Sequence, residues 1–157
     1  MASFSYDDAI NSAKVFTISG GKVFAYSINN DGLDSNSSMT IKGGWIVAIG
    51  TTSPELSIDT VEGTTCTISG GYMLSFSSTG QSQSFSASNG SVGSATCSFS
   101  GGSTFSIAGS GKTVYMLAPR DLSCRFQYYL SGSSSASVNS TATYSGKATP
   151  FYNFVVE

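Results

Sequence analysis

Apolar and polar residues alternate in a short segment that occurs four times along the chain. The four copies are Phe16–Gly21, Met39–Gly44, Cys66–Gly71 and Cys97–Gly102. In each copy the first and third residues are apolar, the second and fourth are polar, and two glycines follow. A period of two predicts a short β-strand with one buried face. The glycine pair predicts a corner, because glycine adopts positive φ angles at little cost.

A second apolar segment follows each glycine pair. These segments are Val23–Tyr26, Ile46–Ile49, Met73–Phe76 and Thr104–Ile107. The first glycines of the pairs, at positions 20, 43, 70 and 101, are 23, 27 and 31 residues apart, a spacing typical of stacked repeats. Strand, corner, strand and loop then form one coil, and the sequence predicts an all-β fold, a short single-stranded parallel β-helix.

The 157 residues are expected to form a single domain. The predicted coils occupy residues 1–111, with the first strand at Val15–Ser19. Residues 112–157 contain apolar, strand-like segments without the glycine corner, such as Phe126–Leu130 and Phe151–Val156. Because a solenoid must cover its last open coil, these residues are predicted to form a C-terminal β cap.

The pattern leaves open which face of the second strand lies inside the coil. Bulk favours an interior made of the larger residues, namely Phe24/Tyr26, Val47/Ile49, Leu74/Phe76 and Phe105/Ile107. The alternative interior consists of Val23/Ala25, Ile46/Ala48, Met73/Ser75 and Thr104/Ser106. In that case an aromatic face points outward, where it forms a binding surface or is covered by residues 112–157.

Composition excludes several functions. Charged residues make up 10% of the chain and the net charge is −2, without a basic cluster, so nucleic acid is not an expected partner. The chain has no apolar run of about 18 residues, so membrane insertion is not expected either. Histidine is absent, which rules out histidine acid–base chemistry and histidine metal ligands.

The three cysteines fit neither a zinc spacing nor an even set of disulfides. Cys66 and Cys97 occupy the same repeat position, so they are expected to stack about 4.8 Å apart in neighbouring coils. We interpret them as small core residues in preference to a disulfide. Cys124 has no predicted partner.

Acidic residues concentrate in the first 62 residues, which contain seven of the nine. Asn11, Asp34 and Asp59 share one repeat position, and Asp8 and Asp31 share another. Stacked carboxylates repel, which raises a pKa or requires a cation between them. Since carboxylate oxygens suit calcium, the aspartates at 31, 34 and 59 are candidate ligands. The alternative is that they only form hydrogen-bonded turns.

The residue after each glycine corner forms another column. Lys22, Trp45 and Tyr72 occupy it in the first three coils. Aromatic rings offer the flat apolar surface that the C–H face of a sugar requires, so Trp45 and Tyr72 are candidates for carbohydrate binding, together with Lys22 of the same column. The alternative is that they only cover the corner.

Catalysis has weaker support from the residues. A lyase needs a base, and only Lys14, Lys22 and Lys42 lie near the acidic loops. A glycoside hydrolase needs two carboxylates at a defined separation, for which Asp31/Asp34 or Asp34/Asp59 are candidates. The alternative, in which these aspartates only form hydrogen-bonded turns at equivalent positions of the stacked coils, explains them equally well.

Two loop-and-strand segments resemble a known family. The segments are Asn30–Asn36 leading to Met39–Gly44, and Ser53–Asp59 leading to Thr67–Gly71. Further similarity lies in Lys112–Leu122 and in Tyr144-Ser145-Gly146. The family is that of the bacterial secreted carbohydrate-binding domains of parallel β-helix type, which bind cellulose or acidic sugars and share the pectate-lyase-like fold.

The resemblance implies a right-handed β-helix, a secreted or cell-surface location with the signal peptide removed, polysaccharide as partner, and calcium bound by loop aspartates. Asp31, Asp34 and Asp59 match the family pattern, whereas Asn11 and Leu56 depart from it, and the chain has fewer coils. The leading hypothesis is non-catalytic, calcium-assisted polysaccharide binding. The alternatives are a calcium-dependent lyase or hydrolase acting on a pectin-like substrate, and a structural or adhesive surface protein. The oligomeric state is left open.

Overall fold

The computed structural model describes residues 1–50, 55–77, 82–140, 142 and 154–157. The predicted features Ser53-Pro54, Tyr144–Gly146 and the start of the strand Phe151–Val156 lie outside these residues. The described strands are β1 (Ala2–Ser5), β2 (Ile10–Ser12), β3 (Phe16–Ile18), β4 (Lys22–Ser27), β5 (Leu33–Ser35), β6 (Met39–Ile41), β7 (Trp45–Ile49), β8 (Ile58–Thr60), β9 (Cys66–Ile68), β10 (Tyr72–Ser77), β11 (Phe85–Ala87), β12 (Val92–Phe99), β13 (Thr104–Gly109), β14 (Lys112–Leu117), β15 (Leu122–Leu130), β16 (Ser137–Asn139) and β17 (Val155–Val156). No described segment is a helix that could cross a bilayer.

The predicted parallel β-solenoid is confirmed over about three turns. Each turn contributes one strand to each of three sheets: sheet A (β1-β4-β7-β10-β15-β12), sheet B (β2-β5-β8) and sheet C (β3-β6-β9-β11). Ile18, Ile41 and Ile68 are successive register partners in sheet C, as their repeat positions predict. Part of the predicted loop forms the three-residue strands of sheet B, so each coil has three strands where the sequence indicated two.

The stack begins earlier than the sequence predicted. β1 pairs in parallel with β4, and Phe4 lies opposite Tyr26. The sequence placed the first strand at Val15–Ser19 and missed β1, because four residues with one large apolar side chain and no glycine pair are too short a segment to match the repeat.

The interior of the solenoid is lined by the smaller residues of the second strand, so the preferred orientation was wrong. Val23, Ala25, Ile46, Ala48 and Met73 belong to one buried cluster with the leucine and isoleucines of sheets B and C. Three short strands enclose a narrow space, and small side chains fill it without strain. The larger residues of the same strands point to the other face of sheet A.

The fourth predicted coil is also wrong. Phe85–Ala87, and not Cys97–Phe99, stacks on Cys66–Ile68. β12 and β13, which contain the fourth copy of the repeat, pair antiparallel with β15 and β14. Strand β15 occupies the edge of β10 that a fourth coil would need. The antiparallel part of the molecule therefore starts at β12, before residue 112.

The C-terminal strands cover the solenoid in two ways. Sheet D (β16-β13-β14-β17) lies over the outer face of sheet A, where Phe105, Val114 and Met116 join Phe24 and Phe76 in a second buried cluster. This outcome is the one expected for the case in which the smaller residues of the second strand lie inside the coil and the aromatic face points outward. At the end of the coils, Tyr129 of β15 is fully buried in the interior cluster, and its hydroxyl donates to the Ser88 carbonyl at 2.7 Å.

Candidate metal centre

Sheet B aligns the predicted acidic column. Asn11, Asp34 and Asp59 are consecutive register partners in β2, β5 and β8. Leu33 and Ile58, directly before the two aspartates, are fully buried inside the coil. Because side chains alternate along a strand, Asp34 and Asp59 project from the outer face of sheet B, one strand spacing apart.

Asp31 joins this column from the corner that precedes β5. Its backbone N–H donates to Asp8 Oδ1 at 3.2 Å, which confirms that Asp8 and Asp31 are neighbours in adjacent coils. Its side-chain Oδ1 accepts a hydrogen bond of 2.5 Å from the backbone N–H of Leu56. Asp31 is only 6% exposed, so this carboxyl group is held in a fixed and largely dry position.

The three aspartates converge on one point. Asp31, Asp34 and Asp59 each offer an oxygen atom, and these oxygens lie within 4.8 Å of one another. Calcium binds oxygens at about 2.3 to 2.6 Å, so ligand atoms around one ion lie up to about 5 Å apart. The separation of these oxygens fits a single calcium ion.

The pKa values reflect burial and mutual repulsion. The pKa of Asp31 is raised from 3.8 to about 7. Burial is the largest cause, the Leu56 N–H acts in the opposite direction, and the charges of Asp59, Glu55 and Asp8 contribute to the rise. The pKa of Asp34 is raised to about 6, mainly by burial and in part by the charges of Asp8 and Asp59. Burial is the main cause of the raised pKa of Asp59 as well. The charges that act on Asp31 and Asp34 are all negative, so ionising the cluster favours a bound cation.

Hydrogen bonds to one oxygen of each carboxylate hold the three aspartates in place. Asn11 donates to Asp34 Oδ2 at 2.8 Å, and the Thr60 N–H donates to Asp59 Oδ1 at 2.8 Å. Among the described residues, such bonds use one oxygen of each of the three aspartates. The second oxygen of each aspartate accepts none of these hydrogen bonds, and a donor set of hard carboxylate oxygens suits calcium.

The predicted aromatic column also forms. Lys22, Trp45 and Tyr72 are register partners at the beginning of β4, β7 and β10. However, the Lys22 ammonium lies 4.2 Å from the centre of the Trp45 ring, and Phe154 contacts the same ring edge-on at 5.9 Å. Trp45 and Tyr72 are partly buried against the cluster beneath sheet D. Part of the Trp45 ring surface is thus covered by Lys22 and Phe154 of the same chain.

The two predicted sites are not adjacent. The Lys22, Trp45 and Tyr72 column lies where the strands of sheet A begin, whereas Asp31 follows the end of β4. A strand of five or six residues separates these corners by about 17 Å. One monosaccharide cannot contact both sites, and one ligand reaches both only if it is a chain of several sugar units.

Sequence reasoning missed the groups that support the aspartates. The Leu56 N–H and the side-chain amide of Asn11 orient Asp31 and Asp34, yet both residues counted as departures from the expected pattern. The signal was present, since Asn11 is 23 residues before Asp34 and so occupies the same repeat position. An amide is a better neighbour than a fourth carboxylate, because it donates to a carboxylate without adding charge.

Comparisons of this chain with protein-family models, with curated proteins and with solved structures return no match. The carbohydrate-binding family is therefore still a prediction from residue similarity. The solenoid and the aspartate cluster rest on the register and geometry described above.

Proposed function

We propose that the protein is a non-catalytic carbohydrate-binding module, secreted or located at the cell surface, which binds polysaccharide with the help of calcium. The observation that supports this proposal most directly is the convergence of Asp31, Asp34 and Asp59 within 4.8 Å at a site whose neighbouring charges are all negative. Such a cluster is stabilised by a cation, and calcium is the cation that its oxygens match best.

Calcium supplies the link to carbohydrate. The ion takes six to eight oxygen ligands. Three aspartates offering one oxygen each leave about three to five positions for water or for ligand oxygens. Neighbouring hydroxyl groups or a carboxylate of a sugar acid present oxygens at suitable spacing for these positions. The column of Lys22, Trp45 and Tyr72 adds a second contact for a longer polysaccharide, through ring stacking and the lysine charge.

The decisive experiment measures calcium and polysaccharide binding together. Isothermal titration of the calcium-free protein is expected to give one site, and retention by cellulose or polygalacturonate is expected to fall when a chelator is added. Asp34→Asn should weaken calcium binding at least tenfold. The matched control is Glu62→Gln, which also removes one negative charge but lies at an exposed position outside the cluster.

Two results would count against this proposal. Calcium binding that is identical in Asp34→Asn and Glu62→Gln would remove the aspartate cluster from the mechanism. Calcium binding without retention by any polysaccharide would leave a metal-stabilised structural or adhesive protein, the remaining hypothesis.

A glycoside hydrolase is the second candidate, and the pKa of Asp31 favours it. A carboxyl group with a pKa of about 7 is about half protonated at neutral pH, and its protonated form is able to act as a general acid. Asp59 then supplies the second carboxylate that the reaction requires. Sustained release of reducing ends from polygalacturonate or cellulose, abolished in Asp31→Asn, would establish this activity and replace the non-catalytic proposal.

A further inference from the structure

Two of the three cysteines occupy opposite positions in neighbouring antiparallel strands. β12 and β15 pair from Val92 opposite Tyr129 to Phe99 opposite Leu122. Within this ladder Cys97 is directly opposite Cys124. The sequence predicted a different neighbour for Cys97, because it assigned Cys97–Phe99 to a fourth parallel coil.

Directly opposed positions bring two residues within disulfide range. Partners of this kind in antiparallel strands have Cα atoms about 4.5 to 5.5 Å apart and lie on the same face of the sheet. Disulfides connect residues whose Cα atoms are about 4.4 to 6.8 Å apart. The backbone register therefore places the Cα atoms of these two positions in the range that a disulfide spans.

Cys66 is separated from this pair. It lies opposite Phe85 in sheet C, is fully buried in the interior of the solenoid and belongs to a different core cluster from Cys124. Burial also raises the pKa of the Cys66 thiol to about 12, which makes it a poor nucleophile. The fold thus selects one of the three conceivable pairings.

We propose that Cys97 and Cys124 form a disulfide that joins β12 to β15, while Cys66 remains a thiol. A small disulfide such as oxidised glutathione is the oxidant. The thiolate of one cysteine attacks it, which forms a mixed disulfide and releases one glutathione. The thiolate of the other protein cysteine then attacks the protein sulfur of this mixed disulfide and releases the second glutathione. Two protein thiols are oxidised, one glutathione disulfide is reduced to two thiols, and the protein protons pass to them.

The bond would fasten the antiparallel half of the molecule. The chain between the two cysteines contains β13 and β14, which form the middle of sheet D. Closing a loop of about 27 residues restricts the unfolded chain, and we expect it to raise Tm by about 10 °C. The cross-link does not involve the aspartates, so it is independent of the proposed calcium site.

The test counts thiols after equilibration of the whole protein with oxidised and reduced glutathione. The protein is then denatured without reductant, alkylated and weighed by mass spectrometry. We expect one alkylated cysteine, Cys66, and a proteolytic fragment that contains Cys97 linked to Cys124. Cys66→Ser should keep the link, and Cys97→Ser should lose it. Reduction should lower Tm in the unmodified protein but not in the Cys97→Ser/Cys124→Ser variant.

Other outcomes would overturn the proposal. Three alkylated cysteines per chain, a fragment that links Cys66, or links only between two molecules would each do so. Because the fragment map of the unmodified chain is decisive, the test does not depend on whether the serine variants fold.

Discussion

The parallel coils and the antiparallel strands β12 and β13 carry the same local sequence pattern but differ in what lies next to them. The segments Ile68–Gly71 and Phe99–Gly102 both end in Ser-Gly-Gly, and the last glycine has a φ of 86° in one and 79° in the other. A Cβ atom at Gly71 would come within 2.4 Å of the Gly44 carbonyl oxygen in the coil below, whereas one at Gly102 would meet nothing within 4 Å. The local pattern therefore determines a strand and a turn, and the neighbouring strand determines whether that turn is stacked.

The two regions also differ in how they bury apolar surface. The solenoid interior accommodates alanine at positions 25 and 48, because three short strands enclose little space. The antiparallel side is filled by aromatic rings, with the Phe99 and Phe105 centroids 3.9 Å apart in a stacked arrangement. The antiparallel strands thus contribute large side chains that do not fit inside the narrow coils.

The largest expected effect comes from removing one of these rings. Phe126 of β15 is fully buried, stacks on Phe76 at 5.3 Å and contacts Phe99 edge-on at 6.1 Å. Phe126→Ala should lower the free energy of unfolding by about 3 to 5 kcal/mol, measured in urea. Tyr6→Ala is the control, since Tyr6 is 73% exposed and its loss should change stability by at most about 0.5 kcal/mol. A loss below about 1 kcal/mol for Phe126→Ala would contradict the tight aromatic cluster.

The next effect concerns the acidic side of the coils. The pKa of Asp31 is raised from 3.8 to about 7, so between these values the folded protein binds a proton that the unfolded chain has released. Without calcium, the contribution of protonated Asp31 to the free energy of unfolding should be fully present below pH 4. It should be lost as the pH rises toward 7, which lowers the free energy of unfolding by on the order of 3 kcal/mol.

Calcium should reduce this loss, because it binds the ionised carboxylates and so stabilises the folded state. The measurement is a series of urea titrations from pH 4 to pH 8, with chelator and with calcium. Asp31→Asn should flatten the profile recorded with chelator. A calcium-free protein whose stability rises over this range would show that the pKa of Asp31 is not raised.

The glycine corners provide a comparison between the two regions at nearly identical backbone angles. Gly102→Ala should cost about 1 to 2 kcal/mol, the strain of an L residue at positive φ. Gly71→Ala carries the same strain and also forces two stacked coils apart, so its cost should be about 2 kcal/mol greater. Denaturant midpoints of both variants measure the difference. Equal costs would mean that the coils do not stack at this corner.

This comparison explains how much of the fold the sequence could predict. The parallel coils follow from repeat positions alone, and the register of Ile18, Ile41 and Ile68 agrees with that prediction. The fourth coil could not be rejected from sequence, because Phe99-Ser100-Gly101-Gly102 has the same period and the same glycines. What decides against it is β15, a strand more than twenty residues later that competes for the edge of β10.

The candidate site shows the same limit. Stacking of Asp34 on Asp59 follows from the repeat, so the acidic column was predictable. The burial of Asp31 was not predictable, because it depends on the corner that brings the Leu56 N–H to within 2.5 Å of the Asp31 carboxylate. The orientation of Trp45 was also beyond the pattern, since its contact with Phe154 connects residues more than a hundred positions apart.

The smallest expected effect tests whether Trp45 belongs to the corner or to a ligand. Lys22 is exposed and covers the Trp45 ring from 4.2 Å, an interaction worth about 0.5 to 1 kcal/mol at such a site. Lys22→Met keeps a chain of similar length, so stability should fall by at most about that amount. If the ring also stacks on sugar, loss of the ammonium should change polysaccharide retention, and acidic polysaccharide should be affected more than cellulose because the positive charge is lost.

Lys42→Met is the matched control, since Lys42 is an exposed lysine one residue before its corner glycine pair. Identical retention by the two variants would confine Lys22 and Trp45 to a structural role and leave the aspartate cluster as the remaining candidate contact for carbohydrate.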